Sequence, residues 1–91
     1  MIESVWLFHG EDSNFTSGVF TNRTLAESWI NQYKLTGILT LYPMNKGVYD
    51  WAMEEEIFTP TKEHQHKAEF IQKFSSASQE HYHYSKGLLE D

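Results

Sequence analysis

The sequence predicts a small α+β domain in which a mixed or antiparallel sheet packs against one main helix. Three observations support this prediction: an apolar run at residues 5–8 followed by a turn cluster, an apolar stripe of helical period within residues 22–34, and a β-branched and aromatic run at residues 38–43. Short apolar runs favour strands, and apolar residues three and four apart favour a helix. With 91 residues, the chain is expected to form a single domain over residues 1–91.

The start of the chain predicts a β-hairpin. Residues 5–8 are apolar on both faces, which is typical of a central strand. Turn-forming residues follow at 10–14, so residues 15–21 are predicted to return as the second strand. Gly18 within that strand indicates a bulge or the close approach of another group.

The main helix is predicted over residues 22–34. Its apolar stripe consists of Leu25, Trp29 and Tyr33, which lie four apart, with Ala26 and Ile30 beside them.

Signals at both ends of this helix support those bounds. Asn22 or Thr24 can cap its start, and Glu27 stands three residues after Thr24, as in a capping box. Gly37 fits the C-terminal end, where a left-handed residue commonly stops a helix.

A third strand is predicted at residues 38–43, directly after the helix. If the second and third strands are parallel, the helix connects them as a right-handed crossover on one face of the sheet. The first strand, being apolar on both faces, then fits between its two neighbours. The sequence therefore predicts a β-β-α-β start and the strand order 2-1-3.

The second half of the chain is less regular. A second helix is predicted at residues 47–58, with a strand as the alternative, and Thr59 and Pro60 are expected to end it. A polar loop is predicted at 60–67, and one or two short helical turns around residues 70–74. Residues 79–84 are predicted to form a C-terminal strand at the sheet edge, with irregular backbone as the alternative.

Composition restricts the classes of partner. The formal net charge is −6, and the lysines are scattered rather than clustered, which argues against a nucleic-acid partner. A solvated acidic surface is the favoured interpretation of this charge, and attraction of a basic protein partner is the alternative. The absence of cysteine excludes disulfides, iron–sulfur clusters and a cysteine nucleophile. No signal peptide or membrane span is recognised, so a cytoplasmic location without membrane association is expected.

The segment from Glu80 to Tyr84 is the leading candidate for a binding surface, because histidine and tyrosine alternate there. In a strand, His81 and His83 share one face while Tyr82 and Tyr84 share the other. The favoured interpretation is a partly exposed strand that binds no cofactor. The alternative is a zinc site in which His81 and His83 are joined by His64 and His66 of the polar loop.

A second candidate group is Tyr49, Asp50 and Trp51. Asp50 has aromatic neighbours on both sides, and Glu54 follows four residues later, so two carboxylates can share one helix face. Acid–base chemistry by such a pair is the alternative to a structural role, which is favoured. Trp51 is either a core residue or an interface anchor.

Five short motifs are distributed along the chain between residues 18 and 84. They are GVFT at 18–21, AESWI at 26–30, GILTLYP at 37–43, GVYDWA at 47–52 and SASQEHYHY at 76–84. In this combination the chain resembles a family of small bacterial proteins classed as a domain of unknown function. The resemblance implies a stand-alone bacterial domain and implies no activity, ligand or catalytic residue.

The sequence thus favours a non-catalytic protein-binding module, comparable to inhibitors or immunity proteins, because no catalytic motif is present. One alternative is a metal-binding protein or small metal-dependent hydrolase centred on Glu80, His81 and His83. Another is a pH-responsive element, since protonation of all five histidines changes the formal charge from −6 to −1. The sequence leaves open whether the chain is a monomer or a homodimer.

Overall fold

In the computed structural model, which describes residues 2–90, the chain contains five strands, three α-helices and one 3₁₀ helix. The strands are β1 (Ser4–Gly10), β2 (Thr16–Phe20), β3 (Gly37–Pro43), β4 (His81–Ser85) and β5 (Leu88–Leu89). The helices are α1 (Arg23–Tyr33), α2 (Val48–Glu54), the 3₁₀ helix (Glu63–His66) and α3 (Ala68–Ile71). These elements fall into two compact units. The first unit comprises the chain up to Met44 and from Gln79 onward, and the second is 45–78.

The sheet of the first unit has the order β2-β1-β3-β4-β5, and all neighbouring strands are antiparallel. Strands β2 and β3 are therefore parallel to each other on either side of β1, and α1 connects them. This arrangement confirms the predicted fold class, the β-β-α-β start and the order 2-1-3. The prediction that the 79–84 strand forms the edge is wrong, because the chain reverses at Lys86 and Gly87, with φ of 49° and 87°, and adds β5.

The start of α1 follows one of the two predicted caps. The Oδ1 atom of Asn22 accepts a hydrogen bond from the backbone N–H of Leu25 at 2.9 Å, which is the usual geometry of an N-cap. The alternative cap at Thr24, with Glu27 closing a capping box, is not used. The carboxylate of Glu27 instead accepts hydrogen bonds from Arg23 and Tyr84.

The C-terminal end of α1 differs from the prediction. Lys34 takes the left-handed conformation with φ of 56°, and the N–H groups of Lys34 and Leu35 satisfy carbonyls of the last turn. Gly37 is not the cap but the first residue of β3. Glycine is required there because a Cβ atom would lie 2.3 Å from the carbonyl oxygen of His9.

The buried face of α1 is centred one residue away from the predicted stripe. Ala26 and Ile30 are fully buried, whereas Leu25 and Tyr33 are 54% and 59% exposed. The small side chain of Ala26 allows the helix to lie close to the sheet, and Trp29 packs at the margin of the contact. The core of the first unit consists of Trp6, Phe8, Ala26, Ile30, Leu39 and Tyr84.

Gly18 confirms the predicted close approach. It pairs with Phe8, directly before the point where the register between β1 and β2 shifts. A Cβ atom at this position would lie 2.8 Å from the ring of Phe20 and 3.0 Å from that of Trp29. Glycine therefore permits two aromatic rings to cover the sheet at this point.

Helix α2 of the second unit is shorter than the predicted 47–58 helix. It ends at Glu54 because Glu56 takes a left-handed conformation with φ of 60°. The N–H of Ile57 then bonds back to the carbonyl of Ala52 at 2.9 Å, which closes the helix end in the way that a glycine usually does.

The predicted polar loop at 60–67 contains the 3₁₀ helix Glu63–His66, which the sequence does not indicate. The side-chain oxygen of Gln65 accepts hydrogen bonds from the N–H groups of Thr61 and Lys62, at 2.8 and 3.0 Å, and so stabilises this turn. The predicted short helical turn is confirmed as α3. The aromatic rings that pack together in this unit are Tyr49, Phe58, Phe70 and Phe74.

Candidate functional site

Strand β4 divides the leading candidate residues between the two faces of the sheet. Tyr82 and Tyr84 lie on the face that α1 covers, and His81 and His83 are exposed on the opposite face. This division follows from the period of two along a strand. The two faces have different neighbours and therefore different chemistry.

On the helix side, the tyrosines join β4 to α1. The hydroxyl of Tyr84 donates a hydrogen bond to Oε2 of Glu27 at 2.6 Å, and Nε of Arg23 donates to the same oxygen at 3.2 Å. The guanidinium carbon of Arg23 lies 3.5 Å from the ring centroid of Tyr82, within range of a cation–π interaction. The hydroxyl of Tyr82 donates in turn to the carboxylate of Glu80.

Burial and these bonds shift the titration of both tyrosines. Burial, followed by the hydrogen bond to Glu27, raises the pKa of Tyr84 to about 12. The hydrogen bond to Glu80 raises the pKa of Tyr82 above its ordinary value of 10. Both hydroxyls act as donors: that of Tyr84 joins β4 to α1 through Glu27, whereas that of Tyr82 bonds to Glu80 just before its own strand.

Two adjacent rows of side chains on the opposite face of the sheet contain its exposed histidines. The cross-strand register aligns Val19, Leu7, Thr40 and His81 in one row. It aligns His9, Ile38 and His83 in the other. We call these seven residues the open face. Val19, Ile38 and the three histidines are exposed, so the open face combines apolar groups with imidazoles.

Two of these imidazoles are oriented by backbone carbonyls. Nδ1 of His81 lies 2.7 Å from the carbonyl oxygen of Gln79, and Nε2 of His9 lies 2.5 Å from that of Ser13. The rings of His81 and His83 have centroids 5.6 Å apart at an interplanar angle of 72°. The histidines of β4 are thus neighbours in space as well as in sequence.

One end of the open face adjoins a cleft of about 310 Å³, which belongs entirely to the first unit. His9, Ile38 and His83 line it together with three carboxylic acids, Glu11, Asp12 and Glu90. No lysine or arginine is among the described residues that line it. The cleft therefore offers negative charge next to an apolar surface.

The sequence did not indicate His9 or this cleft. His9 stands alone in the sequence, and only the register through β3 places it across Ile38 from His83. The available signal was that His9 follows Leu7 by two residues and so shares its face. The shared face places His9 near His83 only once β4 is known to pair with β3.

The second candidate group lies in the other unit. Tyr49 is buried in the aromatic cluster, and its hydroxyl donates a hydrogen bond to the carbonyl of Gln65 at 2.9 Å. Asp50 is exposed in the first turn of α2, and Trp51 is half-buried. Tyr49 therefore stabilises the unit, and Asp50 is the accessible polar group of the three.

The predicted carboxylate pair, Asp50 and Glu54, has a cation beside it. Nζ of Lys46 binds Oε2 of Glu54 at 2.5 Å, so the partner of Glu54 is a cation. That hydrogen bond raises the pKa of Lys46 above its ordinary value. A lysine bound to one member of the pair weakens the carboxylate repulsion on which paired acid–base chemistry depends.

His64 and His66 lie in the 3₁₀ helix of the second unit. The ring of His64 packs edge-on against Phe70, with centroids 5.7 Å apart. Throughout residues 2–90, no group of three or more histidine, aspartate or glutamate side chains is arranged to hold a metal ion. The sequence prediction joined four histidines, and the structure places two in each unit.

The chain is thus a small α+β protein with a five-stranded antiparallel sheet, and it belongs to the family described as a domain of unknown function (DUF7710), whose model matches residues 5–90. This match confirms the predicted membership of a family of unknown function. No curated protein matches the chain. No solved structure matches it either. Over the described part of the chain, none of the helices has the length and apolar character needed to cross a membrane.

Proposed function

We propose that this protein is a non-catalytic protein-binding module and that the open face, with the adjoining cleft, is its binding surface. The observation that supports this most strongly is the juxtaposition of exposed Val19 and Ile38 with three imidazoles and an acidic cleft. Protein interfaces commonly combine an apolar centre with a polar rim of this kind.

The cleft favours a basic partner. Glu11, Asp12 and Glu90 provide negative charge without a lining cation in the part of the chain that is described, and the whole sequence has a formal charge of −6. A lysine or arginine side chain of the partner fits such a site, because opposite charges attract and steer association. Apolar side chains of the same partner then pack against Val19 and Ile38.

The proposal includes the class and location of the protein. An acidic single-domain protein that binds a basic partner without catalysis resembles an inhibitor or immunity protein in its mode of action. We place it in the cytoplasm, because its cysteine-free sequence needs no oxidising compartment, and in a bacterium, because the family that it resembles consists of small bacterial proteins.

Charge reversal in the cleft tests this proposal. Glu11 and Glu3 are both exposed and stand at opposite ends of β1, so Glu11→Lys and Glu3→Lys are matched changes of charge within one unit. Wild-type protein and each variant serve as bait in the lysate of the source organism. The same partner is expected with wild type and Glu3→Lys, with at least about a tenfold loss for Glu11→Lys.

Two variants that replace exposed apolar residues by aspartate test the open face itself. Val19 is 63% exposed on β2, and Leu25 is 54% exposed on α1, so Val19→Asp and Leu25→Asp place the same charge on the two sides of the unit. Circular dichroism first establishes that each variant is folded. Recovery of the partner is expected to fail for Val19→Asp alone. Equal recovery with both variants, or no protein enriched by wild type, contradicts the proposal.

A further inference from the structure

We propose that His81 and His83 together bind a divalent transition-metal ion through their two imidazoles, with water in the remaining coordination positions. This inference does not rest on the protein-binding proposal. It rests on the separation of the two rings, the orientation of His81 and the surroundings of the pair, each of which the first unit provides by itself.

The separation of the rings fits a shared ion. An imidazole nitrogen binds Zn²⁺ at about 2.0–2.1 Å, so two rings on one tetrahedral ion have centroids roughly 5 Å apart. The observed centroid separation is 5.6 Å, with the ring planes at 72°. Small rotations of the exposed side chains close the difference without movement of the strand.

The tautomer of His81 is suited to metal binding. Its Nδ1 lies 2.7 Å from the carbonyl oxygen of Gln79, and a carbonyl can only accept a hydrogen bond. Nδ1 therefore bears the hydrogen, and Nε2 of this exposed side chain carries the lone pair that a metal ion needs. Metal-binding histidines commonly donate their second ring N–H to a backbone carbonyl in this way, which fixes the ring and raises its basicity.

The surroundings of the pair also favour a cation. Thr40 and Ile38, the cross-strand neighbours of His81 and His83 on β3, are uncharged. His83 lines the cleft that includes Glu11 and Glu90, whose carboxylates attract positive charge. Since the described residues provide no third ligand, the ion keeps water in its open positions.

The chain contains its own control for this proposal. His64 and His66 form the same His-x-His sequence, but they lie in a 3₁₀ helix. With about three residues per turn, side chains two apart point in different directions around that helix. The ring of His64 also packs against Phe70. We therefore expect the His81 and His83 pair to bind the metal ion and the His64 and His66 pair not to bind it.

Calorimetric titration of untagged protein with ZnCl₂ and, separately, CuCl₂ at neutral pH tests the site. One ion per chain is expected. His81→Gln and His83→Gln should each weaken binding about tenfold or more, whereas His64→Gln and His66→Gln should leave it within about twofold. Absence of binding by wild type, or an equal loss in the His64→Gln variant, overturns the proposal.

Two further measurements extend the test, and the second of them needs no variant. Because the two imidazoles are held together only in the folded strand, Zn²⁺ should stabilise the folded state. Zn²⁺ should therefore raise the melting temperature of wild type and not that of His81→Gln. In wild type alone, paramagnetic Cu²⁺ should broaden the amide resonances of residues 81–83 and leave those of residues 64–66 sharp. Broadening confined to residues 64–66, or equal broadening of both segments, refutes the assignment.

Discussion

Replacement of Tyr84 by phenylalanine isolates one hydroxyl that joins β4 to α1. Tyr84 is only 2% exposed, and its hydroxyl donates to Oε2 of Glu27 at 2.6 Å. Phenylalanine keeps the ring and its volume, so Tyr84→Phe creates no cavity in the core. The change in stability therefore reports the hydrogen bond itself.

The size of the expected loss in stability depends on the charge and the surroundings of Glu27, which accepts the hydrogen bond. A hydrogen bond to a charged group contributes about 1.5–3 kcal/mol. Glu27 keeps its contact with Arg23 at 3.2 Å, and its side chain is partly exposed, so water replaces part of the lost bond. We expect Tyr84→Phe to lower the free energy of unfolding by about 1–2 kcal/mol.

Urea unfolding measures this loss, with an unchanged slope m as the sign that the unfolding transition itself is the same. Tyr33→Phe on the exposed face of α1 is the matched control and should change stability by less than about 0.5 kcal/mol. Combination with Glu27→Gln in a double-mutant cycle should give a coupling of about 1 kcal/mol. A loss as small as that of the control, or a coupling near zero, would show that the Tyr84 hydroxyl does not stabilise the fold through Glu27.

Three further predictions concern the fold. Asn22→Ala should lower stability by about 1 kcal/mol in thermal unfolding because it removes the N-cap of α1, while an equal loss in Thr24→Ala would contradict this assignment. Gly37→Ala should cost about 3 kcal/mol in urea unfolding, because its Cβ atom would lie 2.3 Å from a backbone oxygen; a loss below about 1 kcal/mol would show that no clash exists. Because the pKa of Tyr84 is raised from 10 to about 12, the unfolded chain loses this proton before the folded one. The stability from neutral Tyr84 is thus fully present below about pH 10 and is lost as the pH rises to about 12, so Tyr84→Phe should flatten the alkaline decline, and parallel declines would count against it.

The sequence predicts the first unit well because its signals are local. Apolar runs and helical spacing locate three strands and α1, and the two-faced apolar character of residues 5–8 places β1 between its neighbours. The helix ends are harder, since Lys34 and Glu56 take left-handed conformations that usually belong to glycine. The 3₁₀ helix depends on one glutamine side chain, Gln65, which no pattern in the sequence indicates.

The candidate site is only partly predictable for a different reason. Alternation along β4 correctly separates the histidines from the tyrosines, because the period of a strand is local. The contacts of Tyr84 with Glu27 and of Tyr82 with Arg23 join residues far apart in the chain. Such contacts depend on the sheet register and on which face of α1 packs against the sheet. The sequence pattern predicts that face one residue away from its observed position.

A photo-crosslink from the open face tests most directly whether that face binds a protein. A benzophenone amino acid replaces Val19 on the open face or, as the control, Leu25 on the exposed side of α1, in cells of the source organism. We expect one discrete adduct from position 19, which Glu11→Lys abolishes, and none from position 25. Equal adducts from both positions, or none from position 19, would contradict it.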